Sequence, residues 1–531
     1  MKKFWFFFCF LMILNAGPKP QLVVFLVVDQ AQPGLLHKYD TLFSGGFRWL
    51  KDNGIEFSQV YHEHGYTATG PGHFALATGQ YPGNGGVLGN WWFDRTIGKS
   101  WYCVEDSTAR ILSDDSFGRS YRFVSTPGLG DWLKQANLES KVFSISGKDR
   151  AAVFLGGKNC DLSLWYDKHG SWTSSTFYVN ELPSWVVDFN AGLNVSSYAN
   201  SVWNRLLDQE IYEKFARPDF FKGEVDISNQ NQYSPTLPLF YNMIPVKDLI
   251  FWFYGTYWGD RAVLDLSEIA IKENLLGADE NTDIIFISLS GTDGIGHDFG
   301  PNSQEQLDNY LRLDRKLGNF ISFVERKVGT GKTFYVLSSD HGAIALPEYL
   351  QKLGLDTGRI HKPSRDSLYT LIRAEIDSLI GKNMVTRYGN SFYFVGDLSE
   401  QQQQLVLNIV KKHMFKLNGI REVLTKTQIL SNGGTDTYSL RLKNMIHEKK
   451  SADIFLIIKK YWTWRWPQGS GHGSPYDYDA HVPLIFARSG WQSTVIQAKA
   501  ATIDIAPTVA NYIDIALPSS KIDGKVLKLP F

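Results

Sequence analysis

Ile284-Ile285-Phe286-Ile287-Ser288-Leu289-Ser290-Gly291-Thr292-Asp293-Gly294-Ile295-Gly296-His297 joins a short apolar run to a cluster of chemically capable residues. The run 284–289 is rich in β-branched and aromatic types and stops at a polar turn, which reads as a buried strand. Three other runs follow the same plan. Residues 22–28 lead into Asp29, residues 142–145 into Gly147-Lys148-Asp149-Arg150, and residues 333–337 into Asp340 and His341. Strands that are apolar at every position belong to parallel sheets covered on both faces. Between the runs at 284 and 333, the residues Leu307, Tyr310, Leu311, Leu317, Phe320 and Ile321 make one helix face. Strand, helix, strand order predicts an α/β fold: a mostly parallel sheet sandwiched by helices, with right-handed crossovers. In such sheets the site forms beyond the carboxyl ends of the strands, where each of these motifs sits.

The residues at those ends are Asp29, Asp293, His297, Asp340 and His341, and His472 stands in Gly471-His472-Gly473-Ser474. Carboxylates and imidazoles together suit zinc, and a catalytic zinc site keeps a position open for substrate. Two such ions can clamp an in-line displacement from both sides. Taken singly, a carboxylate after a strand is a common helix cap. What distinguishes these residues is their joint occurrence, in order, mostly at strand ends. Thr69-Gly70-Pro71-Gly72-His73 suits a sharp turn into a helix, where the threonine oxygen would lie among unpaired N–H groups that favour negative charge. Alone it reads as a helix cap. Beside two metals it becomes an activated nucleophile.

A chain of 531 residues has room for one large catalytic unit with insertions. Residues 174–255, aromatic and weakly periodic, and residues 386–430 read as inserted cap or lid segments. Lys plus Arg equals Asp plus Glu, 54 each, so no basic excess supports nucleic-acid binding. Lys2 and Lys3 precede an unbroken apolar run over residues 4–14, which reads as a signal peptide over 1–17 and predicts a periplasmic or secreted catalytic domain over 18–531. The run is short of the roughly 20 residues a membrane span needs, so no stable anchor is expected after cleavage. Cys103 and Cys160 could form a disulfide in an oxidising compartment or stay two separate thiols, and spacing does not choose.

At these motifs the sequence resembles the alkaline phosphatase superfamily, most closely periplasmic two-zinc alkaline phosphatases of the flavobacterial type, which use threonine as nucleophile. The resemblance runs from Val27-Val28-Asp29-Gln30 through Thr69-Gly70-Pro71-Gly72-His73, Gly147-Lys148-Asp149-Arg150, Ser339-Asp340-His341-Gly342 and His472-Gly473-Ser474-Pro475 to Asp504. It implies two Zn2+ per chain. Asp293, His297 and His472 would hold one, and Asp29, Asp340 and His341 the other, with Thr69 touching the second. It also implies that Asn90, Lys148 and Arg150 bind phosphate oxygens. A Lys, an Arg fork and an amide suit a phosphate monoester dianion. The expected function is therefore phosphate monoester hydrolysis of small-molecule substrates through a covalent phosphothreonine. A nucleotide pyrophosphatase/phosphodiesterase of the same superfamily is the alternative, and a non-catalytic exported phosphate-binding protein is a distant one. Sulfatases carry Cys or Ser in a different motif at the nucleophile position. Gly469-Ser470-Gly471 departs from the threonines usual before His472. The run Tyr461-Trp462-Thr463-Trp464-Arg465-Trp466 reads equally as pocket lining or surface packing. No interface stripe predicts an oligomeric state.

Overall fold

The apolar run that opens the chain's chemistry forms the strand Leu22–Val28, buried at every position. Leu22, Val24, Leu26 and Val28 face one apolar cluster, and Val23, Phe25 and Val27 face the other. Both faces are covered, so no position along the strand tolerates a polar side chain. A computed structural model describes residues 18–227, 236–431, 436–518 and 522–530. The expected signal peptide lies outside the described residues.

The strand Leu22–Val28 sits inside a 10-stranded sheet. In spatial order its members are His481–Val482, Gly54–Tyr61, Ile485–Ala487, Thr333–Ser338, Leu22–Val28, Asp283–Leu289, Val142–Ser146, Leu162–Tyr166 and Trp172–Thr173, with Thr494–Ala501 paired to Gly54–Tyr61. The run from Thr333–Ser338 to Leu162–Tyr166 is wholly parallel. Val28 is level with Leu289, Val27 with Ser338, and Ser288 with Ser146. All four chemistry-bearing strands therefore end at one height, and the residues after them meet.

The helix Gln304–Val328 covers one face through Leu307, Tyr310, Leu317, Phe320 and Val324. The opposite face is closed by Leu129, Trp132 and Leu133, by Ile505, Val509 and Ala510, and by Leu76 and Ala77 of the helix Thr69–Thr78. Within 174–255, short helices and a two-stranded pairing of Val202–Trp203 with Leu239–Phe240 bury Val186, Trp203, Tyr212 and Leu239 against the first face. Residues 386–430 belong to a second unit with its own core. There the strands Val385–Tyr388, Ser391–Phe394, Ile454–Ile458 and Ile420–Thr425 form an antiparallel sheet. The helices Lys362–Leu379 and Glu400–Met414 share its apolar cluster. Cys103 and Cys160 are free thiols, both buried. Among the described residues, no helix is long and apolar enough to cross a membrane.

Candidate active site

Each strand end delivers one part of a single cluster. Asp29 follows the strand Leu22–Val28 directly, and Asp340 and His341 follow Thr333–Ser338. Asp293 and His297 lie four residues apart on the helix Gly291–Phe299, and so on one face of it. His472 arrives on the loop behind them. The ligand atoms of Asp29, Asp340 and His341 lie within 4.8 Å of one another, and so do those of Asp293, His341 and His472. His341 is common to both groups. His297 joins the second through Nε2, which lies 3.2 Å from Asp293 Oδ1. The His341 and His472 rings stack at 3.6 Å.

The three imidazoles share one orientation. Nδ1 of His297 lies 2.9 Å from the Ser470 carbonyl, Nδ1 of His341 lies 3.0 Å from that of Gly342, and Nδ1 of His472 lies 2.8 Å from that of Thr67. A carbonyl only accepts, so each Nδ1 donates its N–H there, and each Nε2 is turned toward the carboxylate cluster. Burial, then the neighbouring His341 and His297, keeps the His472 imidazole well below the usual histidine range and therefore neutral. Asp29 Oδ1, Asp340 Oδ2 and His341 Nε2 are buried without a hydrogen-bond partner. Orphaned buried acceptors that converge are costly unless a cation satisfies them. The donor set and its unpaired atoms fit a metal ion.

Lys148 sits at the seam of the cluster. Its ammonium donates to Asp29 Oδ2 and, at 2.6 Å, to Asp293 Oδ2. Burial pulls this ammonium down, but the two carboxylates outweigh it and hold it above the ordinary lysine value. Burial, with Asp293 and Asp340, pushes the Asp29 carboxyl up. Arg150 stands on the other side, with Nη2 3.4 Å from Thr69 Oγ1 and Nη1 3.4 Å from the Tyr102 hydroxyl. Asn90 accepts from the Gly70 N–H at 2.8 Å. Asn90, Arg150 and Thr69 thus gather at one helix N-terminus.

Thr69 is the first residue of the helix Thr69–Thr78, and the cap position is Ala68. Its side chain makes no capping bond, so the reading of Thr69 as a plain helix cap fails. Gly72 explains the motif around it. A Cβ at Gly72 would stand 2.1 Å from the Asp340 carbonyl, so only glycine lets this helix press against the ligand strand. His73 bonds the Thr69 carbonyl and Ser288 Oγ, each at 2.8 Å.

Several supporting residues escape sequence reasoning. Gln30, at φ +68°, donates from its side chain to Asp293 Oδ1 at 2.6 Å and from its backbone to Asp340 Oδ1 at 3.2 Å. Its adjacency to Asp29 was the available signal. Tyr102 and Arg119 fix Asp149 at 2.5 and 2.7 Å, and that carboxylate anchors the turn bearing Arg150.

A family model described as Type I phosphodiesterase / nucleotide pyrophosphatase matches residues 23–464. The chain belongs to that family. It is 31% identical to alkaline phosphatase PhoV of Synechococcus elongatus, over 96% of this chain and 92% of that one. It is also 31% identical to alkaline phosphatase PafA of Elizabethkingia meningoseptica, over 97% and 95%. The crystal structure of wild-type PafA superposes with a TM-score of 0.86, covering 97% of this chain and 99% of that one. A further PafA structure carries replacements of a threonine, an asparagine, a lysine and an arginine, the residue types found here at 69, 90, 148 and 150. Within the family, this chain thus resembles proteins named alkaline phosphatases over nearly its whole length, and a mostly parallel α/β sheet is their shared frame.

Proposed function

We propose that this chain is an exported, zinc-dependent phosphate monoester hydrolase of the alkaline phosphatase type, acting through a phosphothreonine on Thr69. One observation carries the reading: two cations, the buried Lys148 and the half-buried Arg150, flank the carboxylate cluster and the Thr69 hydroxyl, with Arg150 Nη2 3.4 Å from Thr69 Oγ1. Two full positive charges suit a dianion.

Asp29, Asp340 and His341 would hold one zinc ion, and Asp293, His297 and His472 the other. Bound there, the pair supplies acidity to the attacking hydroxyl and charge stabilisation to the leaving oxygen. Thr69 Oγ1 gives its proton to solvent water and forms a bond to phosphorus as the ester P–O bond breaks, and the departing oxygen takes a proton from water to leave as the alcohol. Arg150 and the Asn90 amide hold non-bridging oxygens during that transfer, and the loose transition state makes such positioning the main task of the protein. Lys148 exchanges its carboxylate partners for a phosphate oxygen. Water then cleaves the phosphothreonine and regenerates Thr69. Small phosphate monoesters are the substrates, and no nucleic acid is a partner. The signal peptide over 1–17 directs the chain to the periplasm or medium.

The description of the matching family favours a second reading, phosphodiester hydrolysis. Paired kcat/KM values for phenyl phosphate and bis-phenyl phosphate on zinc-defined protein separate the two. Monoester preference is expected, and a strong diester preference defeats the reading.

A further inference from the structure

The aromatic run at 461–466 is not used by the chemistry above. Trp462, Trp464 and Arg465 wall a cavity of about 290 Å3 that reaches His297 and His472. Those two side chains are 26% and 12% exposed, whereas His341 is fully buried. Thr69, Asn90 and Arg150 do not line this cavity. In-line transfer places the leaving oxygen opposite the nucleophile. The cavity touches His297 and His472, the two histidines assigned to the ion opposite the nucleophile, and not Thr69.

We propose that this cavity is a leaving-group subsite that takes flat aryl groups, so that phosphate monoesters of phenols and fused-ring alcohols are preferred substrates. The proposal rests on the phosphomonoesterase reading. Trp462 and Trp464 are half-buried, packed in part against the core of the second unit, and both contribute to the cavity wall, where an aryl group would stack on them. The Arg465 side chain is 43% exposed and its ion pair to Asp298 is long, at 4.0 Å, which leaves a planar guanidinium to stack on a ring or bond its polar edge. The wall is held in place. Arg359 Nη1 donates to the Gly469 carbonyl at 2.7 Å and to the Arg465 carbonyl at 3.3 Å, and its guanidinium pairs with Glu348 at 2.8 Å. The guanidinium of Arg365 lies 6.0 Å from the Trp464 ring.

The test compares zinc-loaded wild-type protein with Trp464→Ala, Trp464→Phe and Arg465→Ala on 2-naphthyl phosphate and methyl phosphate. Removing one stacking partner should lower kcat/KM for the naphthyl ester about 3- to 10-fold. Methyl phosphate turnover should hold within about twofold, since that ester is too small to reach the ring. Trp464→Phe should recover most of the loss and guards against misfolding of the alanine variant. Inhibition by 2-naphthylphosphonate should weaken in step, with methylphosphonate unmoved. Equal losses on both esters, or none on the naphthyl pair, overturn the subsite. Wild-type protein inactive on both monoesters yet active on diesters defeats the phosphomonoesterase reading instead, and the two phosphonate affinities then still decide the subsite.

Discussion

Replacing Arg150 by Ala tests the assignment of substrate class. The guanidinium stands 3.4 Å from Thr69 Oγ1, and its removal leaves no carboxylate orphaned, because Asp149 keeps Tyr102 at 2.5 Å and Arg119 at 2.7 Å. The fold should therefore survive, and the loss should appear in catalysis. A hydrogen bond to a charged group is worth about 1.5–3 kcal/mol. Against a monoester dianion the upper end applies, which is roughly a 150-fold loss in kcat/KM. A diester presents one charge fewer, so the lower end applies and the loss is about tenfold. The ratio of monoesterase to diesterase kcat/KM should thus fall by roughly an order of magnitude in Arg150→Ala. Phenyl phosphate and bis-phenyl phosphate, assayed on the same zinc-loaded preparations, give that ratio. Equal losses on both substrates would refute the idea that Arg150 reads the dianion, and an unchanged monoesterase rate would remove it from the site.

Thr69→Ala should cost on the order of a thousandfold or more in turnover, while Thr69→Ser, which keeps a hydroxyl at the helix start, should stay within about tenfold; alanine protein retaining a tenth of wild-type activity would end the nucleophile assignment. His341 is shared by both ligand groups, so His341→Ala should bind fewer than the roughly two zinc ions expected per wild-type chain, as read by elemental analysis. Chelation should lower the melting temperature, because a site held at about 1,000 times its Kd contributes about 4 kcal/mol; an unmoved transition argues that no metal fills the cluster. Asp260 accepts from the Gly291 N–H at 2.9 Å, at the start of the helix bearing Asp293 and His297, and burial raises its carboxyl to about 7. Its folded-state value lies above the unfolded one, so the folded state holds a proton that the unfolded chain releases, and stability falls as pH rises from about 4 to about 7 and then levels. Asp260→Asn should flatten that slope in pH-dependent melting, and a parallel slope in the variant would contradict the assignment.

The central strands were legible because burial on both faces leaves few polar positions to disguise them: none in Leu22–Val28, and only Asp283 and Ser288 in Asp283–Leu289. The carboxylates and imidazoles other than His472 were legible for a related reason: they follow a strand end closely or sit one turn beyond it, and parallel register carries those ends to one height, whereas His472 arrives on a loop. What stayed hidden depends on contacts between distant segments. The extent of the second unit is such a case. Its sheet closes only when Ile454–Ile458 returns between Ser391–Phe394 and Ile420–Thr425, and the pairing leaves no local mark at 386–430. Lys148 is another. A lysine in a turn after a strand carries no sign that it will be buried between Asp29 and Asp293. Glycines record such approaches without naming the visitor. A Cβ at Gly296 would stand 1.8 Å from Gln30 Oε1, one at Gly294 would stand 2.3 Å from the Gly255 carbonyl, and one at Gly72 would stand 2.1 Å from the Asp340 carbonyl. Each missing side chain admits a close neighbour, and one of them, Gln30, bonds Asp293. Sequence shows the gap, and only the fold shows that Gln30, the 174–255 segment and the ligand strand fill these gaps. The supporting residues of this site are therefore less visible in the sequence than its ligands, although the ligands depend on them for orientation.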